Sequence, residues 1–544
     1  MENSSGAGRP IHAADDLGEP AHEAHPTFLE DSDNFYEDYG FDPPHIVEHD
    51  LSEEFCYDGY EYPGDDVQLP PGQRYYPWDG SEYQNLEDFE QYRPGGHHPV
   101  VLGDLLGEDS RFEVWHKLGQ GTYGLIWLCR DLLKGKFCAV KVLRAELSGQ
   151  SDKLPELRVQ NMLGGISPEE AWQNHIAMPL ETFTQRGPNG EHICIVTRLL
   201  GPSITSSRRH NWNDTSLLKD ICFQLVEGMD FMHRHGLGHG DFRPPNILFK
   251  TTLEDLTEEE MEIYLPDPEA YEIYAVDEPI DGEPPCGPHA PLYAIEPLEL
   301  HLEDECITKE IAIIDFGVAF ETACPNIPTA IPDNYAAPEC HPELGSQQPS
   351  IGSDLWALGC TMVEVLCGST PFELFGGFNF GEVELSLGPM PEPYRSKFIE
   401  SSSFYSPDSQ ADHGAHLLWD KESLSNRRER VTAQHGIDDN LYGVIGYEAC
   451  NPHPNTMWRP PKTISASVAA SADRYERPAF PVVEGTSEFS IRRRLEREAI
   501  PGAVDLLRQV LRWFPEDRVG ADKLLVHEWF EGRHKSTGVR RADL

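Results

Sequence analysis

His239-Gly240-Asp241-Phe242-Arg243-Pro244-Pro245-Asn246 decides how this sequence is read, taken with Ala139-Val140-Lys141 before it and Asp315-Phe316-Gly317 after an apolar run behind it. Each polar position in the set has a chemical job that restricts the residue. Lys141 follows a strand-like run from Phe137 to Val140, so its ammonium can pair with the α- and β-phosphates of a nucleotide. Asp241 can orient an attacking hydroxyl or accept its proton. Asn246 and Asp315 supply hard oxygens of the kind Mg²⁺ takes alongside phosphate. No other common reaction needs this combination.

Upstream, Leu118-Gly119-Gln120-Gly121-Thr122-Tyr123-Gly124-Leu125-Ile126 carries three glycines that let the backbone close over phosphate oxygens without a Cβ clash. The same spacing opens dinucleotide-binding units, where a helix follows the last glycine and an acid comes about 20 residues on. Here Ile126-Trp127-Leu128-Cys129 follows and reads as a strand, so the expectation is the turn of a hairpin over ATP.

These motifs resemble those of eukaryotic protein kinases over roughly residues 112 to 534, with Ala337-Pro338-Glu339 and Asp354-Leu355-Trp356-Ala357-Leu358-Gly359 in the family's order. The resemblance implies an α+β, two-lobed fold with a small β-rich lobe at 91–200 and a larger helical lobe at 201–535. It also implies an ATP site made of Leu118, Gly119, Gln120, Gly121, Thr122, Tyr123, Gly124, Ile126, Ala139 and Lys141, with Mg²⁺ held by Asn246 and Asp315. Asp241, Lys141 and Arg243 are the expected catalytic residues. In the family the A-P-E glutamate pairs with a late arginine, which Arg518 of Pro515-Glu516-Asp517-Arg518 resembles, and Asp354 resembles the aspartate that braces the catalytic loop. Glu156 is chosen as the partner of Lys141, although a plain surface carboxylate on an amphipathic helix is a second reading of it.

A second layer of motifs is similar to the serine/arginine-protein kinases and their divergent fungal relatives. Tyr92-Arg93-Pro94-Gly95-Gly96-His97-His98-Pro99-Val100 resembles the family's Y-x-x-G-G-Y-H-P-V, and Trp127-Leu128-Cys129-Arg130-Asp131 its W-L-A/C-x-D. His192-Ile193-Cys194-Ile195-Val196 with Leu200-Gly201 resembles the strand between the lobes. That alignment makes Thr197 the gatekeeper and sets the backbone of Arg198 and Leu200 against the adenine. Glu384-Leu385-Ser386-Leu387-Gly388-Pro389-Met390-Pro391 is similar to I-E-L-L-G-x-x-P, and Glu382 and Glu384 are the acids expected in a substrate groove; solvated helix-face carboxylates are the other reading.

Two departures stand in the catalytic loop. Gly240 replaces the usual Arg or Thr, and Arg243 replaces a lysine; arginine keeps a cation beside the transferred group, though its planar fork is bulkier than a point charge. Without an arginine at 240 nothing there clamps a phosphorylated loop, and the span from Asp315 to Glu339 holds only Thr322 and Thr329 as serine or threonine residues. Activity independent of phosphorylation in that loop is therefore expected.

Composition narrows the partners. The 544 residues carry 43 Lys+Arg against 93 Asp+Glu, a formal net charge of -50, with acids concentrated before residue 100 and from Glu254 to Glu310. Nucleic acid and anionic membrane surfaces demand neutralising cations, so neither is an expected partner. A basic, Arg-Ser-rich protein substrate suits this field, which would speed encounter and hold a repeat while successive serines react. Acidic tails also occur as plain solubilising segments, a reading equally open for residues 1 to 80.

Residues 1–90 read as acidic and disordered. An acidic insert at 251–308 contains Pro266, Pro268, Pro279 and Pro284-Pro285 and interrupts a short connection between two strands; a second irregular insert spans 401–487. From Ile491 to Phe514 the spacing is helical, with Leu495, Ala499, Val504, Leu507, Val510 and Leu511 on the buried face. Twelve cysteines with no C-x-x-C pair imply reduced thiols, and no stretch reaches the ~18 apolar residues of a membrane span. The expectation is a monomer in cytoplasm and nucleus. His233, His235 and His239 lack a completing metal ligand. Two rival readings remain: a pseudokinase scaffold that binds basic partners without modifying them, and a kinase of small molecules.

Overall fold

The computed structural model describes residues 74–75, 86–107, 109–121, 123–149, 154–204, 214–266, 268, 270–273, 286–300, 305–325, 330–342, 344–345, 348–367, 371–374, 377–378, 380–401 and 495–533. Thr122, Thr329 and most of the two regions read as irregular, 1–90 and 401–487, lie outside them.

An antiparallel sheet of order β1-β2-β3-β4-β6-β5 forms the small lobe. Its strands are β1 (Leu105–Leu106), β2 (Phe112–Gly121), β3 (Gly124–Asp131), β4 (Lys136–Leu143), β5 (Glu181–Gly187) and β6 (Gly190–Thr197). Position in the sheet explains composition. The edge strand β5 alternates half-buried and exposed residues, whereas β4, Lys-Phe-Cys-Ala-Val-Lys-Val-Leu, is apolar on both faces because both are covered. Between β4 and β5 run α1 (Ala145–Ser148), α2 (Pro155–Met162) and α3 (Pro168–Gln173). Proline opens α2 and α3, where its missing N–H is no loss, and Ser167 caps α3 by accepting from Glu170 N at 3.1 Å.

The large lobe packs around α4 (Thr215–Arg234), α6 (Ile351–Cys367) and a late helix, α9 (Ile500–Val510). Asp214 caps α4 by accepting from Ser216 N at 2.9 Å and Leu217 N at 3.2 Å, and His233 and Arg234 sit at its negative end. Helix α6 is buried nearly all round, as its almost unbroken apolar sequence requires. Met229, Phe242, Trp356, Leu358 and Leu507 share one core cluster, where each such side chain contributes roughly 1.5–3 kcal/mol. The helix expected from 491 begins only at Ile500, after a 3₁₀ turn over Arg497–Ala499. Pro501 fixes that start, since proline is tolerated only in a first turn.

Three short strands, β7 (Leu200–Ser203), β9 (Ile247–Thr251) and β12 (Ile307–Ile313), carry the loops that face the small lobe, in the order β12-β9-β7. The acidic insert leaves β9 and returns to β12. Although numbered with the large lobe, it lies against the small one. It forms α5 (Glu258–Met261) and the paired strands β10 (Ala270–Glu272) and β11 (Tyr293–Ile295). Ile273, Cys286, Tyr293 and Ile295 are buried in the cluster that holds Val100, Leu102, Trp127 and Val140. Burial of these apolar residues decides its place, whatever the charge of the residues between them.

Part of the segment read as disordered is packed too. Tyr75 is buried, and Glu87 accepts from the Tyr92 hydroxyl at 2.5 Å and from the Lys117 ammonium, which also donates to Ile295 O at 3.2 Å. Among the described residues no helix is long and apolar enough to cross a membrane.

Candidate active site

The β-register brings Lys141 opposite Ile126 and Ile195 in the middle of the sheet, while Glu156 sits in the first turn of α2. Lys141 Nζ donates to Glu156 Oε2 at 2.8 Å and Oε1 at 3.0 Å. Burial pulls the Lys141 ammonium down, but the Glu156 carboxylate and then Asp315 outweigh it and hold the group above its ordinary value. It is therefore a fixed cation.

The glycine-rich segment forms the hairpin of β2 and β3, with Gly121 opposite Gly124. Glycine is required at 124, where a Cβ would come within 2.1 Å of Val142 O. Leu118, Gly119, Gln120 and Gly121 lie on β2, Gly124 and Ile126 on β3, and Tyr123 at the tip, its ring over Gly317, where a Cβ would approach Cε2 to 3.0 Å. Ala139 pairs with Thr197. Arg198 follows β6; its side chain donates to Glu254 Oε2 at 3.1 Å and stacks on Trp172 at 4.8 Å, and Leu200 opens β7 opposite Lys250.

Beyond α4, the pair β8 (Leu237–Gly238) and β13 (Phe320–Glu321) sets the catalytic-loop segment beside Asp315. Asp354, in the first turn of α6, accepts from the backbone N–H of His239 at 2.7 Å and of Gly240 at 3.0 Å. Asp241 Oδ1 and Oδ2 accept from Arg243 Nε at 2.9 and 3.1 Å. Asn246 Nδ2 donates to Asp241 O at 2.9 Å and Oδ2 at 2.8 Å, which leaves the amide oxygen of Asn246 for a cation. Asp315 stands at φ +62°, a conformation Asp tolerates better than most residues. Gly240 stands at φ +79°, and a Cβ there would lie 2.5 Å from Val318 O. The Arg518 guanidinium reaches Glu339 Oε1 at 2.5 Å and Oε2 at 2.8 Å, a bidentate pair behind the loop.

The donor set fits Mg²⁺. Among the described residues no group of three or more His, Cys, Asp or Glu can hold a metal, whereas Mg²⁺ takes one or two protein oxygens and completes its shell with phosphate and water. Asn246 and Asp315 are the residues that would hold it. The three histidines are each committed elsewhere: His233 Nε2 to Asp354 at 3.2 Å, His235 Nδ1 to Phe231 O at 2.7 Å, and His239 Nε2 to Ile314 O at 3.0 Å. Glu382 and Glu384 lie on α7 (Phe380–Leu387), their side chains outside the described residues. Thr322 donates its N–H to Gly236 O at 2.9 Å just past β13.

Glu254 was not legible as a site residue. It accepts from the backbone of Leu199 at 3.1 Å, fifty-five positions away in sequence, and nothing local signals that pairing.

The sequence matches the family described as Protein kinase domain at residues 112–261 and 302–530, more than half of the chain. It is similar to Serine/threonine-protein kinase spk-1 of Caenorhabditis briggsae, 31% identical over 192 residues, 35% of this chain and 16% of the relative. Protein kinase dsk1 of Schizosaccharomyces pombe is 32% identical over 166 residues, 30% of each chain. SRSF protein kinase 3 of Homo sapiens is 29% identical over 173 residues, 31% of this chain and 30% of the relative. The matched stretches thus span less than a third of these relatives' own lengths. The chain belongs to the protein kinase family, as a divergent relative of the serine/arginine-protein kinases.

Proposed function

We propose that this chain is a protein serine/threonine kinase that transfers the γ-phosphoryl group of Mg²⁺-bound ATP to serine in basic, Arg-Ser-rich proteins. The observation that carries this reading is the Lys141–Glu156 pair at 2.8 Å, with Asp315 close enough to raise the same ammonium. Kinases use that pair to hold the α- and β-phosphates. Mg²⁺, when bound, offsets phosphate charge. Asp241 orients the serine hydroxyl and accepts its proton, while Arg243, already on the Asp241 carboxylate, keeps a permanent cation beside the transferred group. Arg198 and Leu200 offer their backbone groups to the adenine. The charge of -50 supports a cationic substrate, as does the likeness to SRSF protein kinase 3.

Purified protein with labelled ATP, an Arg-Ser peptide and an acidic peptide tests the reading. Label on the Arg-Ser peptide alone is expected. Asp241→Ala should lower transfer by at least about 10³-fold with ATP binding retained; turnover retained in that variant would overturn the role of Asp241, and no label from the wild type would replace the kinase assignment with a binding scaffold.

A further inference from the structure

We propose that Glu254, in the first turn of the acidic insert, is a positioning residue for nucleotide binding: it holds the backbone between the lobes so that the peptide groups on either side of Leu199 face the adenine. The proposal rests on the nucleotide reading given above and adds to it a residue outside the recognised motifs.

The geometry is specific. Glu254 Oε1 accepts the Leu199 N–H at 3.1 Å and Oε2 accepts from Arg198 Nη1 at 3.1 Å, so one carboxylate grips two consecutive residues. Thr251 Oγ1 donates to Leu199 O at 3.2 Å. Both backbone polar groups of Leu199 are thereby satisfied from the start of the insert, and its side chain is buried beside Leu253, Leu128 and Phe137. Peptide groups of successive residues along an extended chain point to opposite sides. With Leu199 committed outward, the carbonyl of Arg198 and the N–H of Leu200 are left for the cleft.

Arg198 is itself held from three directions. Besides Glu254 it donates to Glu169 Oε2 at 2.5 Å, and its guanidinium lies 4.8 Å above the ring of Trp172. Lys250 sits 4.5 Å from the same ring and donates to Trp172 O at 2.9 Å. Glu169 and Trp172 belong to α3, which follows the helix that carries Glu156. The brace therefore ties the segment between the lobes to β9, to the first turn of the insert and to α3 through side chains. Only 16% of the Glu254 side chain is exposed, which strengthens its hydrogen bonds relative to a surface acid.

The test compares two ligands that share phosphates and differ in the base: Mg²⁺-ATP and Mg²⁺-tripolyphosphate, each titrated calorimetrically into the full chain. Glu254→Ala should raise the Kd for ATP about tenfold, the size of one charged hydrogen bond, and leave that for tripolyphosphate unchanged. Glu254→Gln, whose side-chain carbonyl still accepts the Leu199 N–H, should recover most of the affinity. Thr251→Val reports on the neighbouring peptide, on the other side of Leu199, without touching Glu254 and should weaken ATP alone by a few-fold. Wild-type ATP affinity in folded Glu254→Ala would overturn the proposal, as would equal weakening of both ligands, which marks general loosening. Either result leaves the nucleotide reading standing, whereas a wild-type chain that binds no ATP removes both.

Discussion

Lys117 and Lys141 stand in the same sheet, each paired with a glutamate, yet the two pairs occupy different media. The Lys117 and Glu87 side chains are 0% and 2% exposed, and the pair joins three stretches of chain, the N-terminal segment, β2 and β11. Lys141 and Glu156 are 13% and 15% exposed, and Glu156 lines a small cavity with Tyr123, Leu157, Ile195 and Gly317. A sealed ion pair cannot exchange partners with a ligand. An accessible one can, because an arriving phosphate replaces part of what the glutamate gives up. The same two residue types thus act as a bolt in one place and as a receptor in the other, and access alone separates them.

Breaking the bolt should have the largest effect. Glu87→Ala leaves a buried ammonium with only a carbonyl, and urea denaturation is expected to show a loss of about 3–5 kcal/mol. Turnover per folded molecule should hold; a variant as stable as the wild type would place the pair in solvent and erase the contrast. The receptor should behave the opposite way. Glu156→Gln keeps the shape but loses the charge, so transfer should fall about tenfold to a hundredfold, roughly 1.4–2.7 kcal/mol, with little change in Tm. A fall in Tm without a fall in rate would reverse the two roles.

Acid sharpens the comparison by probing the N-terminal anchor without mutation. Burial pushes His97 down to about 4 and His98 down to about 3, against 6.5 in the unfolded chain, and burial also lowers His192, whose ring lies 4.9 Å from that of His98. Folded values below unfolded ones mean that the unfolded chain takes up protons first. Stability is therefore fully present above about pH 6.5 and falls as pH drops toward 4, by about 1.4 kcal/mol per pH unit for each histidine. His98→Gln should flatten that slope in denaturation curves; an unchanged slope would show that His98 titrates equally in both states.

Much of the site was legible because its motifs recur in a fixed order and each residue type has a chemical reason to be there. Lys141, Asp241, Asn246 and Asp315 needed no structure to be chosen, and Glu156 was chosen as an acid followed by a helical apolar pattern, Leu157-Arg158-Val159. The bolt was hidden for the opposite reason. Glu87, Lys117 and Ile295 are separated by 30 and 178 positions, and a contact at that range leaves no period or motif behind. The insert misled for a related reason: Ile273, Cys286, Tyr293 and Ile295 are too scattered among acids and prolines to announce a buried face. The late helix was overextended because apolar spacing continues across Pro501, where the backbone cannot.

Gly240 finally bears on what the catalytic loop can carry. An arginine there would have to adopt the left-handed backbone and push its Cβ into the Val318 carbonyl 2.5 Å away. An arginine clamp for a loop phosphate therefore cannot be installed by changing residue 240 alone. The peptide at Val318 would have to move before any side chain with a Cβ could stand at this position.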